Sequence, residues 1–437
     1  MKKPLTGLDI FGLGLMTFAF FLGAGNIIFP PLAGAQAGTE LVPAMLGFLV
    51  TAVGLPLITL IAVAKAGGGI STMARYLPVK VATVLALAVY IIIGPSFATP
   101  RTGLVAYEIG VKPFIEHSAI ALALFSVVFF SIVAWLAINP GKLLDYIGKF
   151  ITPLLVMLLV ALAIAVFVAP LDGLGVPTER YQDSAFINGF LEGYNTMDTF
   201  GALVFGMLIV NVLISKGVSE KAYIYKYLMI AGCIAAAGLA FVYVALFYLG
   251  ATSQVVAQGA TQGTDILAQY VFAMFGQTGL MALALVVMLA CLTTAVGLVS
   301  ALTTFLVQLQ PHWNYTKLAL INCAICALVT NVGLSQLISI SIPVLFAVYP
   351  VAIALVALTF VSDKLANKKL SYQFVLAVAL MFGVLDGLKV AGVDMQSFNY
   401  LPLFNNGMAW LLPTAGALLI AMFAFKKTTH VTAYSKG

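Results

Sequence analysis

The chain has 437 residues, 62% of them hydrophobic and only 8% charged, with a mean hydropathy of +1.10 and a formal net charge of +6. A soluble domain carries about 25% charged residues, so this composition excludes a water-soluble fold and makes lipid the solvent. The net charge does not mark a nucleic-acid binder, because no basic run exceeds Lys368-Lys369 or Lys426-Lys427.

In lipid each backbone N–H and C=O must be satisfied internally, and apolar runs of about 20 residues predict helices rather than barrel strands. The expectation is an all-α polytopic membrane bundle with about twelve transmembrane helices. Met1-Lys2-Lys3 and the apolar run after it mimic a signal peptide. That run contains Gly25-Asn26 and Pro30-Pro31 and continues past any cleavage site, so it reads as a retained first helix over 8–35, interrupted near 23–26. Helices follow over 42–64 and 79–98, the latter trailed by a polar re-entrant or extended stretch to residue 111. The next spans are 119–138, 147–169, 185–214, 223–249 and 279–308, then 318–333, 338–361, 372–390 and 408–425.

Charge placement tests this order. With the N-terminus inside, the inner segments hold seventeen of the 21 Lys and Arg, and the outer side only Arg101, Lys112, Arg180 and Lys389. Cytoplasmic loops carry the excess of Lys and Arg, so both termini read as cytoplasmic.

Few residues can carry chemistry. Gly23-Ala24-Gly25-Asn26 at mid-depth of the first helix, followed by Pro30-Pro31, admits two readings. One is a kink or close helix contact through small residues. The other is a broken helix whose freed carbonyls take a cation and whose half-helix N-terminus takes a carboxylate. In the sixth helix Asn195, Thr196, Asp198 and Thr199 precede Gly201 and Gly206. Asp198 is either a membrane-buried functional group or the cap of a half-helix at the interface. Interruptions at matching places in two halves point to an inverted-repeat transporter with its site between them.

In the eighth helix Ala290-Cys291-Leu292-Thr293-Thr294 offers two hydroxyls, either as hard oxygen ligands for a small cation or as donors to their own helix carbonyls. Cys323 and Cys326 have CxxC spacing within an apolar helix and read as packing. Asp386 and Lys389 are a helical turn apart and able to pair. Arg101 and Glu108 either gate an outward vestibule or solvate a loop. No set of catalytic groups, phosphate loop or metal cluster is visible, so the chain does not read as an enzyme. A channel remains as a different class, although two interrupted helices suit alternating access better.

Several stretches together resemble one family. They are Phe18-Ala19-Phe20-Phe21-Leu22-Gly23-Ala24-Gly25-Asn26-Ile27-Ile28-Phe29-Pro30-Pro31, Gly94-Pro95-Ser96-Phe97-Ala98-Thr99-Pro100-Arg101 and Pro140-Gly141-Lys142-Leu143-Leu144-Asp145. Thr196-Met197-Asp198-Thr199, Thr293-Thr294-Ala295-Val296-Gly297-Leu298 and Asn331-Val332-Gly333-Leu334-Ser335-Gln336-Leu337 continue the series. In order along nearly the whole chain they resemble the BrnQ-type branched-chain amino acid:cation symporters of bacteria.

The resemblance implies a multi-pass protein of the cytoplasmic (inner) membrane that imports leucine, isoleucine and valine with sodium. It implies no organic cofactor and no obligate protein partner beside the lipid. It also implies a leucine-transporter-type fold within a single transmembrane domain spanning 1–437. That domain would hold a five-plus-five inverted repeat (about 8–170 and 185–361) and two extra helices (about 372–425).

The implied sodium ligands are the carbonyls of Ala19 and Leu22 with Ala290, Thr293 and Thr294. The implied substrate site is Gly23, Ala24, Gly25 and Asn26 for the carboxylate end, Asp198 and Thr199 near the ammonium, and Phe205 in the aliphatic pocket. Phe29-Pro30 falls one residue earlier than in that fold's pattern, and no residue matches the sixth-helix ligand of a second cation, so one ion site is implied. Asp198 is the group that would make a proton the coupling ion instead.

Overall fold

The computed structural model of the chain describes residues 5–138 and 152–425, and all regular elements among them are helical. Lys2, Lys3, Lys142, Lys149, Lys426, Lys427 and Lys436, together with the 140–145 motif, lie outside the described residues. Eight helical stretches are long and apolar enough to cross a membrane, and four shorter apolar helices accompany them among the described residues. The helices make two compact units. One comprises Met1–Gly69 with Leu85–Ser341, the other Ile70–Val84 with Ile342–Gly437.

In the larger unit the first predicted span is two helices, α1 (Gly7–Phe21) and α2 (Ala24–Ala37). Thr6 caps α1, its Oγ1 accepting the Asp9 N–H while Asp9 Oδ2 accepts the Thr6 N–H, both at 3.2 Å. Next come α3 (Leu41–Leu49), a widened helical turn (Val50–Gly54) and α4 (Leu55–Ala66). Then α5 (Val79–Ile91), which belongs to this unit from Leu85 onward, opens at Gly94-Pro95 and resumes as α6 (Ala98–Gly110). The stretch expected to be re-entrant or extended up to residue 111 is therefore helix. Pro95 supplies the break, because proline has no N–H and clashes with the preceding turn.

The unit continues with α7 (Ala119–Ile138), α8 (Thr152–Val168), α9 (Glu179–Glu192), α10 (Asp198–Ser215) and α11 (Lys221–Ala251). The sixth predicted span thus divides into α9 and α10. The eighth begins sixteen residues earlier than expected, as α12 (Gly263–Leu309), bent at Gly276 with φ +62°. Its first arm carries Asp265, Gln269 and Tyr270, which diluted the apolar signal. α13 (Tyr315–Thr330) follows, then α14 (Leu334–Val361), of which the residues up to Ser341 belong to this unit and the rest to the smaller one.

In the smaller unit α15 (Lys368–Val390) precedes α16 (Leu411–Phe423). Asp386 and Lys389 do not need one another here. Asp386 accepts the N–H groups of Ala409 and Trp410 at 3.2 and 3.3 Å, just ahead of α16, and Lys389 Nζ donates to the carbonyls of Phe404 and Asn405. Each charge satisfies chain-end groups that lipid would leave bare. In α13, Cys323 and Cys326 are free thiols packed in the helix interior, as their setting predicts.

Without a hydrophobic drive between helices in lipid, close approach depends on small residues. α2 and α11 meet through a reciprocal pair. A Cβ on Gly34 would strike the Phe247 carbonyl oxygen, and one on Gly250 the Pro31 carbonyl oxygen. α3 and α9 repeat the arrangement with Gly47 against Phe186 and Gly189 against Ala44. These crossings clamp one half of each broken span, α2 of the first and α9 of the second, to a neighbouring helix. Gly34→Ala and Gly250→Ala are each expected to destabilise the detergent-solubilised protein by about 1–3 kcal/mol, read as a lower thermal-unfolding midpoint. Gly416→Ala, where added bulk meets nothing, is the control; equal midpoints for all three would contradict the close crossing.

Candidate functional site

The break between α1 and α2 is two residues long. Leu22 closes α1 with its N–H on the Phe18 carbonyl at 2.8 Å, and Gly23 is extended at φ −112°, ψ −166°. Asn26 then folds back, and its Oδ1 accepts the Gly23 N–H at 3.1 Å. Ala24 and Gly25 occupy the first turn of α2, where amide groups have no partner within the helix. Both glycines sit in tight surroundings. A Cβ at Gly23 would lie 3.0 Å from Thr294 Cγ2, and one at Gly25 would lie 3.2 Å from the Asn195 carbonyl oxygen.

The second break faces the first. α9 tightens into a 3₁₀ turn over Gly193–Thr196, and Met197 takes φ +61°, a left-handed conformation uncommon for a long side chain. α10 starts at Asp198. Thr196 Oγ1 accepts the Asp198 N–H at 3.4 Å and donates to the Gly193 carbonyl at 2.9 Å. Asp198 is thus both the acid at a half-helix N-terminus and a buried group, since its side chain points inward. Its Oδ2 accepts from Asn26 Nδ2 and from the Tyr243 hydroxyl, each at 2.7 Å, and the Asn26 amide also meets the Tyr243 hydroxyl. Three helices, α2, α10 and α11, are stitched together at one carboxylate oxygen.

These groups line one small cavity of about 40 Å³. Gly23, Ala24, Gly25 and Asn26 form one edge, and Thr196, Met197 and Asp198 the other. Phe205 stacks on Phe20 at 5.2 Å between centroids and meets Phe21 edge-on at 6.0 Å, making an aromatic wall. Thr294 closes the side toward α12, with Oγ1 lying 3.3 Å from the Leu22 carbonyl oxygen and 3.5 Å from that of Phe20.

The other sequence-predicted residues are nearby but do not line the cavity. Thr293 donates to the Ala290 carbonyl at 2.9 Å, Ala19 is buried in α1, and Thr199 is buried in α10 with its hydroxyl unpartnered. Phe20, not Ala19, shares Thr294 with Leu22.

Sequence reasoning passed over two groups. Tyr243 sits in the apolar run of α11, where a tyrosine reads as packing; only its distance from either membrane face hinted that its hydroxyl needs a partner. Arg101 was placed in an outer loop or vestibule. It lies in the first turn of α6, 2% exposed, and lines the cavity. Glu108 lies two turns on and pairs with Lys112 at 2.6 Å.

Comparison with known proteins agrees with this architecture. A family model described as "Branched-chain amino acid transport protein" matches residues 6–428. The "Branched-chain amino acid transport system 2 carrier protein" of Pseudomonas aeruginosa is 46% identical over 421 residues, covering 96% of each chain. The "Branched-chain amino acid permease BrnQ" of Escherichia coli strain K12 is 44% identical over 425 residues, covering 97% of each. These relatives are named as carriers and permeases rather than enzymes.

Among solved structures, MhsT in complex with L-phenylalanine superposes with a TM-score of 0.61 at 17% identity, covering 96% of this chain and 99% of that one. Mhp1, titled a nucleobase-cation-symport-1 family transporter, gives 0.63 at 13% identity, covering 94% and 91%. At such identities the likeness speaks for the fold, which is the leucine-transporter type. The fold, the length of the match and the full-length relatives agree: this multi-pass membrane protein belongs to the branched-chain amino acid transport protein family.

Proposed function

We propose that the chain is a secondary active symporter that imports leucine, isoleucine and valine with sodium across the bacterial cytoplasmic membrane, with both termini cytoplasmic. The observation that carries the reading is the meeting of two broken helices around Asn26 and Asp198, with Thr294 against the carbonyl end of α1. A continuous helix satisfies its own backbone; two interruptions facing each other offer free amides and carbonyls at membrane depth.

In this mechanism the substrate carboxylate meets the N–H groups of Ala24 and Gly25 beside Gly23 and Asn26. The ammonium meets carbonyls of the 193–197 turn, with Asp198 and Thr199 close by. The aliphatic side chain enters against Phe20, Phe21 and Phe205. A space of about 40 Å³ holds only a few waters, so admission of leucine requires these rings to swing aside. One methylene in an apolar pocket is worth about 1–3 kcal/mol, so all three branched-chain side chains are carried.

Sodium sits between the carbonyl end of α1 and Thr294. Oxygens bound to one ion at about 2.4 Å and at right angles stand about 3.4 Å apart. The Thr294 spacings to the Leu22 and Phe20 carbonyls, 3.3 and 3.5 Å, match that figure. Ala19, Ala290 and Thr293 complete the proposed set, with Thr293 exchanging its bond to Ala290 for the ion. Sodium ties α1 to α12 and favours the outward-open state; its loss to the cytoplasm releases the substrate. Coupling is differential affinity for two states. The moving parts are two repeats, about 8–170 and 185–361.

Proteoliposomes with an inward sodium gradient are expected to concentrate radiolabelled leucine, with competition by isoleucine and valine. Thr294→Ala is expected to abolish uptake and Thr294→Ser to retain it. Uptake driven only by a proton gradient would move the coupling to Asp198, and flux that never saturates would make the protein a channel. Tyr243→Phe removes one of two side-chain donors to Asp198. A hydrogen bond to a charged group contributes about 1.5–3 kcal/mol, so the initial uptake rate at low leucine is expected to fall at least tenfold while remaining sodium-dependent. A wild-type rate would remove Tyr243 from the site.

A further inference from the structure

Arg101 is a charge without a counter-charge. Its Nη1 donates to the Asn195 carbonyl at 2.7 Å and its Nη2 to Ser341 Oγ at 3.0 Å, and its Cζ stands 5.2 Å over the Phe29 ring. Both partners are neutral and Nε has none. Of the five N–H donors of a guanidinium, two are in use. Among the described residues no carboxylate is in ion-pair contact with it, although Asp198 lines the same cavity. Asp198 directs Oδ2 to Asn26 and Tyr243. A lone buried guanidinium at membrane depth is strongly unfavourable, and such groups face a polar pathway or a partner.

A guanidinium and a carboxyl group therefore border one cavity without touching. That arrangement complements a zwitterion whose own charges are a few ångströms apart. We propose that Arg101 is the carboxylate receptor: its free N–H edge, beside the N-terminus of α2, binds the α-carboxylate of the transported amino acid, while Asp198 faces the ammonium. The assignment rests on the amino acid transport proposed above. The guanidinium suits the role, since its planar fork binds carboxylates in two parallel hydrogen bonds and a lysine ammonium does not. Phe29, Asn195 and Ser341 hold that fork still. Because Asn195 belongs to the turn between α9 and α10 and Phe29 to α2, substrate capture at Arg101 would also draw on both broken helices.

The test uses the purified full-length protein in sodium and ligand-induced thermal stabilisation, which reads weak and tight ligands alike. The ligands are leucine, leucinamide and isoamylamine, the last two lacking the carboxylate. Wild type is expected to need at least about 100-fold more leucinamide or isoamylamine than leucine for half-maximal stabilisation. In Arg101→Gln the leucine requirement is expected to rise about 100-fold or more, as for loss of one partner of a buried charge pair, and the preference over leucinamide to collapse to within about threefold.

A variant that weakens both ligands by one factor, keeping the preference, would make Arg101 a structural latch and overturn the proposal. Arg101→Lys, which keeps the charge and loses the fork, provides the same reading if the glutamine variant does not fold. Its preference is expected to drop about tenfold, and an unchanged preference would overturn the proposal equally. A wild type stabilised equally by leucine and isoamylamine would do so too. A wild type not stabilised by leucine would instead bring down the transport reading on which this assignment stands.

Discussion

The structure depends on one carboxylate oxygen. Asp198 Oδ2 takes hydrogen bonds from Asn26 of α2 and Tyr243 of α11, and Asp198 itself opens α10. An ordinary interhelical hydrogen bond in a membrane contributes about 0.6 kcal/mol, which would not hold two interrupted helices in register. Here two such bonds converge on one acceptor oxygen, and a bare carboxyl group at membrane depth is costly. The junction is therefore stable because every rearrangement that separates α2, α10 and α11 strands a buried polar group. Gly23 and Gly25 suit the geometry, since a Cβ at either would crowd Thr294 or the 193–197 turn.

That same economy of contact explains what the remaining glycines do. Gly34 with Gly250, and Gly47 with Gly189, bring α2 to α11 and α3 to α9 at backbone distance. The broken spans are thereby anchored at their unbroken ends. The breaks themselves are confined to Leu22–Gly23 and Gly193–Met197, of which Gly23, Thr196 and Met197 line the cavity. Thr51 reinforces the second of these, its hydroxyl donating to the Phe190 carbonyl at 2.7 Å from the widened turn between α3 and α4.

Much of this was legible in the residues because it violated local rules. The glycines at 23 and 25 and Asp198 are out of place in apolar helices, and they mark the two breaks, whereas Pro30-Pro31 lie inside the continuous α2. Thr294 and the Leu22 carbonyl were legible through the family resemblance, though only the fold could say that Phe20 rather than Ala19 presents the second carbonyl to it. Tyr243 was hidden because an aromatic residue in an apolar run satisfies the packing pattern whether or not its hydroxyl matters. Arg101 was hidden for the opposite reason. A charged residue after Gly94-Pro95 and Pro100 in a polar stretch reads as loop, whereas the prolines open a helix and α6 carries the guanidinium inward. The bend at Gly276 left no hydropathy signal at all, since the helix continues on either side of it.

On the proposed mechanism the coupling ion and the substrate share one location, and the break between α1 and α2 accounts for it. Thr294 touches the carbonyl end of α1, and Ala24 and Gly25 begin α2 immediately beyond it. On the proposed mechanism a cation at the first and a carboxylate at the second bind opposite faces of one two-residue break. Each then restricts Leu22 and Gly23, so whichever binds first removes conformational freedom that the second would otherwise have to remove. Cooperativity between ion and amino acid would follow from the shortness of the break, without any direct contact between them. A longer unwound segment would bind both and couple them less.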